Sequence, residues 1–433
     1  MLLSGLNNVF ESEAIPGALP RDQNNPQQSP LGLYTEQLSG TSFTRPRAHN
    51  RFIWLYRALP ACAYNDGFVP LQTACGRDAE TMRVDPNPGR WGPVPEPDEG
   101  KLVDFVDGLR MFGQSGNSST GEGLAIYWYS ANKSMEARSV SFHDGEILLV
   151  PQRGSLKIRT EMGELEVHPL QICVIPRGVK WTMTLLPGVE GSLSHRGYMV
   201  EVFNEGGFRL PDLGPIGANG LANPVHFEHP TASIDVAKYS TWENVIKVGG
   251  KWFHQTGLQH SPFDVVAWRG NLLPYRYDLR KFCAMSTVTF DHPDPSIFTV
   301  LTVPTSVPGV AACDFVIFPP RWMVATKTFR PPYFHRNVMT EFMGLIEGKY
   351  DGKVGGFVPG GASLHSRLVP HGPDAATFNH ASNAELAPTF YDAGLAFMFE
   401  TVYLLETTEF ARKGPHREKD YAQCWKPLKR AAL

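Results

Sequence analysis

Between Arg330 and Asp374 the chain reads RPPYFHRNVMTEFMGLIEGKYDGKVGGFVPGGASLHSRLVPHGPD. Three histidines, His335, His365 and His371, and one carboxylate, Glu341, share this segment. Two imidazoles and a carboxylate leave coordination positions open on a metal, the ligand set of non-haem Fe(II) oxygenases. His335 and Glu341 are six positions apart. Even separations along an extended strand project to one face, so the spacing predicts a largely extended run over 335–341. The third ligand then comes from a later strand or turn, beyond the glycines between Gly352 and Gly361. His371 lies in Pro370-His371-Gly372-Pro373, where the prolines restrict the backbone; His365 competes for the same place. Zinc accepts the same donor types. A lone histidine in a β protein is usually a hydrogen-bonded structural residue, so it is the clustering that carries the metal reading.

The elements that must position these groups are short strands. From Ala125 the runs AIYWYS, EILLV, SLKIRTE, LEV, QICVIP, KWTMTL and YMVEVF follow one another, separated by Gly-containing turns. In LKIRTEMGELEV apolar and polar residues alternate on both sides of Gly163, a hairpin signal. A second strand-rich block holds STVTF, IFTVLTV, DFVIFP, WMVAT, EFMGLIEG and LAFMFET, with a helical turn near Asp374 to Ser382. Between the blocks, Ser240 to Val248 (STWENVIKV) is expected to be a short helix capped by Ser240 or Thr241. Residues 1–120, rich in Pro, Gly and Asn, read as an extended arm with short edge strands that wraps a larger body or a neighbouring subunit.

The whole therefore reads as mainly β, an antiparallel sandwich or barrel architecture with few short helices. A boundary near 280 divides an N-terminal β domain with its arm (1–280), expected to be structural, from a C-terminal domain (281–433) carrying the candidate site. The 41 Gly and 36 Pro are scattered rather than repetitive, as turn punctuation requires.

Composition narrows the function classes. A net charge of −3 and no dense Lys/Arg run argue against nucleic-acid binding. Six well-separated cysteines without a CxxC pair suggest reduced, mostly buried thiols of a cytoplasmic protein. The N-terminus MLLSGLNNVFESEA has no basic region of a secretory signal. No apolar run reaches the roughly 18 residues of a membrane span.

Longer motifs are more specific. FRPPYFHRNVMTEFMGLIEGKYDGK and LHSRLVPHGPD resemble the iron-site segments of the homogentisate 1,2-dioxygenase family. NVFESEAIPGALPRDQNNPQQSPLGLYTEQLSGTSFTRPR and GEILLVPQRGSLKIRTEMGELEVHPLQICVIPRG resemble its opening and middle, so the likeness covers nearly the whole chain. The resemblance implies two cupin-like, jelly-roll β-barrel regions. It implies an Fe(II) cofactor on His335, Glu341 and His371, with Tyr350 and His371 contacting an aromatic substrate and His292 as the acid/base beside the ring. His365 is implied as a neighbouring or substrate-side residue. It further implies O2 as co-substrate, cleavage of homogentisate to 4-maleylacetoacetate in tyrosine and phenylalanine catabolism, and a homo-hexamer built from trimers.

The cupin pattern itself is followed only in part. Glu341 and Gly348 agree with one cupin motif, but its His-x-His pair is missing, since only His335 precedes Glu341. The block 145–178 lacks a His/Glu set altogether, as His143 and His168 do not reproduce the spacing, and reads as structural. Three other readings stand beside the main one: a gentisate-type ring-cleaving dioxygenase, a non-catalytic double-cupin binding protein, and a zinc-dependent isomerase.

Overall fold

Strands such as Glu122–Ala131 and Glu146–Arg153 are nearly continuous in apolar side chains. A strand with one wet face alternates; a strand covered on both faces does not. The computed structural model, which describes residues 2–188, 194–212, 221–234, 241–288, 295–350, 352–353 and 355–433, shows why these do not. They lie in a ten-stranded sheet with a core on each side. Ala125, Tyr127 and Tyr129 point into one core with Ile158, Trp181 and Phe142 of a seven-stranded sheet. Ile126 and Trp128 point the other way, to Val300, Phe342 and Phe399 of a six-stranded sheet. The order is thus three layers, with the ten-stranded sheet in the middle.

The chain is mainly β, as expected, and the α-helices among the described residues are short. The hairpin read around Gly163 is present with Leu156 opposite Val167 and Thr160 opposite Gly163. The helix at Ala375–Asn383 is capped by the Asp374 carboxylate, which accepts from Thr377 N at 2.7 Å.

The expected helix at 240–248 is not formed. Trp242–Val248 is a strand between Arg138–Phe142 and Lys251–Leu258, and Ser240 lies outside the described residues. Trp242, Val245 and Ile246 have helical spacing, but two neighbouring strands offered ladders for a segment rich in β-branched residues. Ser286–Val288 of STVTF is not strand, and WMVAT contributes only to Arg321–Met323. Of the six cysteines, Cys75, Cys173 and Cys313 are buried and Cys62 and Cys283 exposed, so burial is less general than expected.

The arm packs on its own chain. Phe10–Glu13, Val265–Gly270, Phe52–Arg57 and Tyr34–Ser39 form a four-stranded sheet, and Leu3–Ser4 extends the ten-stranded one. Two short strands cross over. Gly89–Trp91 completes the six-stranded sheet beside Ala362–His365, while Glu406–Thr407 joins the ten-stranded sheet beside Leu109–Asn117.

The six-stranded sheet sets up the site. Thr340–Gly348 lies between Ala362–His365 and Gly394–Thr401, with Glu341 directly opposite both His365 and Glu400. Directly opposed residues share a face, so these three form a row across neighbouring strands. Met343, Ser363 and Met398 form the next row on that face. The intervening row, Phe342, Leu364 and Phe399, points into the core.

Candidate metal centre and its cavity

The face carrying those rows is the wall of a cavity of about 680 Å³. Its lining is mostly apolar, with Met343, Phe298, Phe357 and Met398 prominent. That combination of apolar walls and few polar groups suits a small organic ligand.

His335, Glu341 and His371 converge at this wall, each offering a ligand atom, all within 4.8 Å of one another. The way they converge differs from the expectation of one extended strand. Bends at Val338 and Met339 interrupt the run, and the strand begins only at Thr340. His335 is instead bridged to His371: His335 N donates to His371 O at 2.9 Å and His371 N to His335 O at 3.1 Å. The two imidazoles are therefore fixed relative to each other by the backbone before any metal arrives.

Each ring is oriented the same way. Nδ1 of His335 meets the Tyr333 carbonyl at 2.7 Å, and Nδ1 of His371 meets the Val369 carbonyl at 3.0 Å. A carbonyl only accepts, so Nδ1 carries the proton and Nε2 is left with its lone pair in the neutral ring. Both Nε2 atoms face Glu341, at 3.4 Å for His335 and 3.0 Å for His371. Two lone pairs and a carboxylate aimed at one point require a cation between them, a proton or a metal. The donor set therefore fits a divalent metal with open positions.

The electrostatics agree. Burial alone raises the Glu341 carboxyl; with a proton in that place, hydrogen bonds from the two rings outweigh it and hold the group well below the ordinary carboxylate range. The hydrogen bond to Glu341 pushes His335 up against the effect of burial. Asn337 Nδ2 reaches Glu341 at 3.2 Å and Glu400 at 2.6 Å, and so separates two carboxylates on one face.

His365 is brought to the site but not into the ligand group. Its ring stacks on that of His371 with centroids 4.0 Å apart and planes 5° from parallel. Its Nε2 is engaged with the Tyr421 hydroxyl at 2.8 Å. Burial, then the neighbouring His371, keeps it neutral. Tyr350 lines the same cavity, set edge-on to Phe318 and Phe357. His292 lies outside the described residues. Asn337, Lys353, Glu400 and Tyr421, all on the cavity wall, were not anticipated. Asn337 and Lys353 stand inside the quoted motif; Glu400 and Tyr421 come from far along the chain, with no spacing signal to mark them.

In the N-terminal block, His143 is bonded to Ser141 and His168 to Ser155, each in a local contact. Among the described residues the metal-ligating group is confined to His335, Glu341 and His371.

The chain matches the family described as "Homogentisate 1,2-dioxygenase N-terminal" over residues 1–279 and "Homogentisate 1,2-dioxygenase C-terminal" over 280–432. A homogentisate 1,2-dioxygenase of Dictyostelium discoideum is 51% identical over 427 residues, 98% of this chain and 96% of that protein. One of Pseudomonas fluorescens is 52% identical over 429 residues, with the same coverage. Likeness to two solved structures is weak. Ylba from E. coli has a TM-score of 0.30 at 8% identity, covering 75% of this chain and 93% of that one. Oxalate decarboxylase of Bacillus subtilis gives 0.26 at 12%, covering 78% and 90%. At such scores neither bears on the chemistry.

Proposed function

Because the chain belongs to the homogentisate 1,2-dioxygenase family, we propose that it cleaves the ring of homogentisate with O2, using Fe(II) held by His335, Glu341 and His371. The observation that carries this reading is the convergence of those three groups on the wall of the 680 Å³ cavity. The bond broken joins the ring carbon bearing the carboxymethyl arm to its hydroxylated neighbour. Both atoms of O2 enter the product, 4-maleylacetoacetate, one carbon becoming a ketone and the other a carboxylate. No external reductant is consumed. The pathway served is tyrosine and phenylalanine catabolism.

Fe(II) bound there supplies open positions for substrate and O2 and a route for electrons between them. The protein's own part is orientation and proton handling. The backbone bridge and the two Nδ1 contacts keep both imidazoles aimed with little freedom left to lose on binding. The apolar cavity excludes water and holds the ring beside the wall. Tyr350 offers a phenol to a substrate hydroxyl, His371 and His365 flank the substrate on the metal side, and His292 takes the proton from a ring hydroxyl. Residues 281–433 carry the chemistry and 1–280 frame it, apart from Arg90, which reaches the cavity.

The protein is proposed to act in the cytoplasm as a homo-hexamer of two trimers. Exposed Trp322, Tyr333, Phe334 and Phe390 near the cavity are apolar surface that such contacts would cover. Sedimentation reading six chains of 48.1 kDa supports the assembly, and a monomer removes it.

The deciding experiment is O2 uptake by anaerobically purified protein reconstituted with Fe(II), with homogentisate and gentisate in parallel. Uptake with homogentisate alone, abolished by chelator and by Glu341→Ala, is expected. Uptake with gentisate alone moves the substrate assignment, and no uptake by iron-loaded protein overturns the reading.

A further inference from the structure

The end of the chain returns to the metal group. Tyr421–Trp425 forms a 3-10 turn. The Tyr421 hydroxyl meets His365 Nε2, and the His365 ring covers one face of His371. Trp425 Nε1 donates to the Pro373 carbonyl at 3.1 Å, and Lys353 Nζ donates to the Gly372 carbonyl at 2.7 Å. Lys353 Nζ also stands 4.5 Å from the Trp425 ring centre and 5.3 Å from that of Tyr421, which joins the two anchors through cation–π contacts. The turn is itself secured. Arg90 lies 4.7 Å from the Tyr421 ring and is paired with Glu418 at 2.6 Å.

We propose that the turn Tyr421–Trp425, with Lys353, is a positioning element for the metal, holding His371 in ligand orientation through the His365 stack and the Gly372 and Pro373 carbonyls. The proposal rests on the metal-site reading above. His335 and Val369 restrain His371 from its own loop and its neighbour. The C-terminal turn restrains the ring face and the backbone that follows. A ligand held on all these sides loses less freedom when it binds a metal. Tyr421, Trp425 and Lys353 are positioning residues in this scheme, acting through His371 and not on substrate.

The test uses the full-length protein and Co(II) as probe, read anaerobically by its visible ligand-field bands. Tyr421→Phe keeps the ring and deletes the hydroxyl; Trp425→Phe keeps an aromatic ring but replaces the indole, with its N–H, by a smaller phenyl; Lys353→Met removes the amine. Co(II) binding is expected to weaken about 10- to 100-fold, as for other residues that orient metal ligands, with shifted bands and an unfolding midpoint of the metal-free protein close to wild type. Affinity within twofold of wild type and unchanged bands overturn the proposal. So does weaker binding matched by an equal loss of stability in the metal-free protein, which marks a merely structural contact. Where Trp425→Phe does not fold, Tyr421→Phe decides. Failure of the wild-type protein to bind one Co(II) would instead remove the metal reading.

Discussion

Asn337→Ala is the most informative perturbation of the centre. Asn337 Nδ2 bonds Glu341 at 3.2 Å and Glu400 at 2.6 Å, its Oδ1 accepts from Met339 N at 3.0 Å, and its carbonyl accepts from Leu368 N at 2.7 Å. The side chain thus orients the carboxylate ligand, spaces it from Glu400 and holds the bend between His335 and Glu341. A hydrogen bond to a charged group contributes about 1.5–3 kcal/mol. The bond to Glu341 is long, so the lower end applies, and about 1.4 kcal/mol is tenfold in affinity. Loss of the spacer adds to this, and Fe(II) binding should weaken about 10- to 100-fold, the range found when metal ligands lose their orienting partners. The assay is anaerobic competition for Fe(II) with a chelator, followed by O2 uptake at saturating iron, where KM for substrate should change little. If spacing of the carboxylates is part of the effect, Glu400→Gln added to Asn337→Ala restores part of the affinity, a coupling the double-mutant cycle reads directly. Iron affinity of Asn337→Ala within twofold of wild type would refute the reasoning.

Three further outcomes are expected. His292→Ala should retain iron and lose most turnover; normal turnover in an iron-loaded sample would remove His292 from the mechanism. Phe342→Ala deletes a fully buried ring packed on Phe112 and Phe399, and should cost about 3–5 kcal/mol in denaturant unfolding; a loss below about 1 kcal/mol would contradict that packing. Burial and Arg110 push His416 down to about 4. Its contribution to stability is full above the unfolded value of 6.5 and is lost as pH falls through about 4. His416→Leu should therefore flatten the fall of the melting temperature across that window; identical slopes would exclude the residue.

How much of this was legible in the sequence depended on how local the causes were. The hairpin at 156–167 was readable because alternation and a turn glycine sit next to each other. The ligand types were readable because His335, Glu341 and His371 lie in two dense motifs. Their means of convergence was not, since it is a backbone bridge between His335 and His371 and not strand alternation. Trp242–Val248 was misread because its helical spacing is local while its two strand partners are not. Glu400 reaches Glu341 only through strand pairing, and Tyr421 reaches His365 only through the return of the chain end. Neither leaves a mark in the surrounding residues.

The two crossed strands bear on how the chain is made. Gly89–Trp91 leaves the ribosome early but has its partner in Ala362–His365, and Leu109–Asn117 waits for Glu406–Thr407. Neither sheet can be closed until the strand from the late part of the chain has been synthesised. Folding of such long-range pairings is slow and leaves strand edges open meanwhile. Each half expressed alone would expose an unpaired edge, and a nonsense mutation ahead of Glu406 would leave the early half unfinished too. The six-stranded sheet can thus take up Gly89–Trp91 before Glu406–Thr407 has been made, and a product cut between the two would be a substrate for chaperones and proteases and not a smaller enzyme.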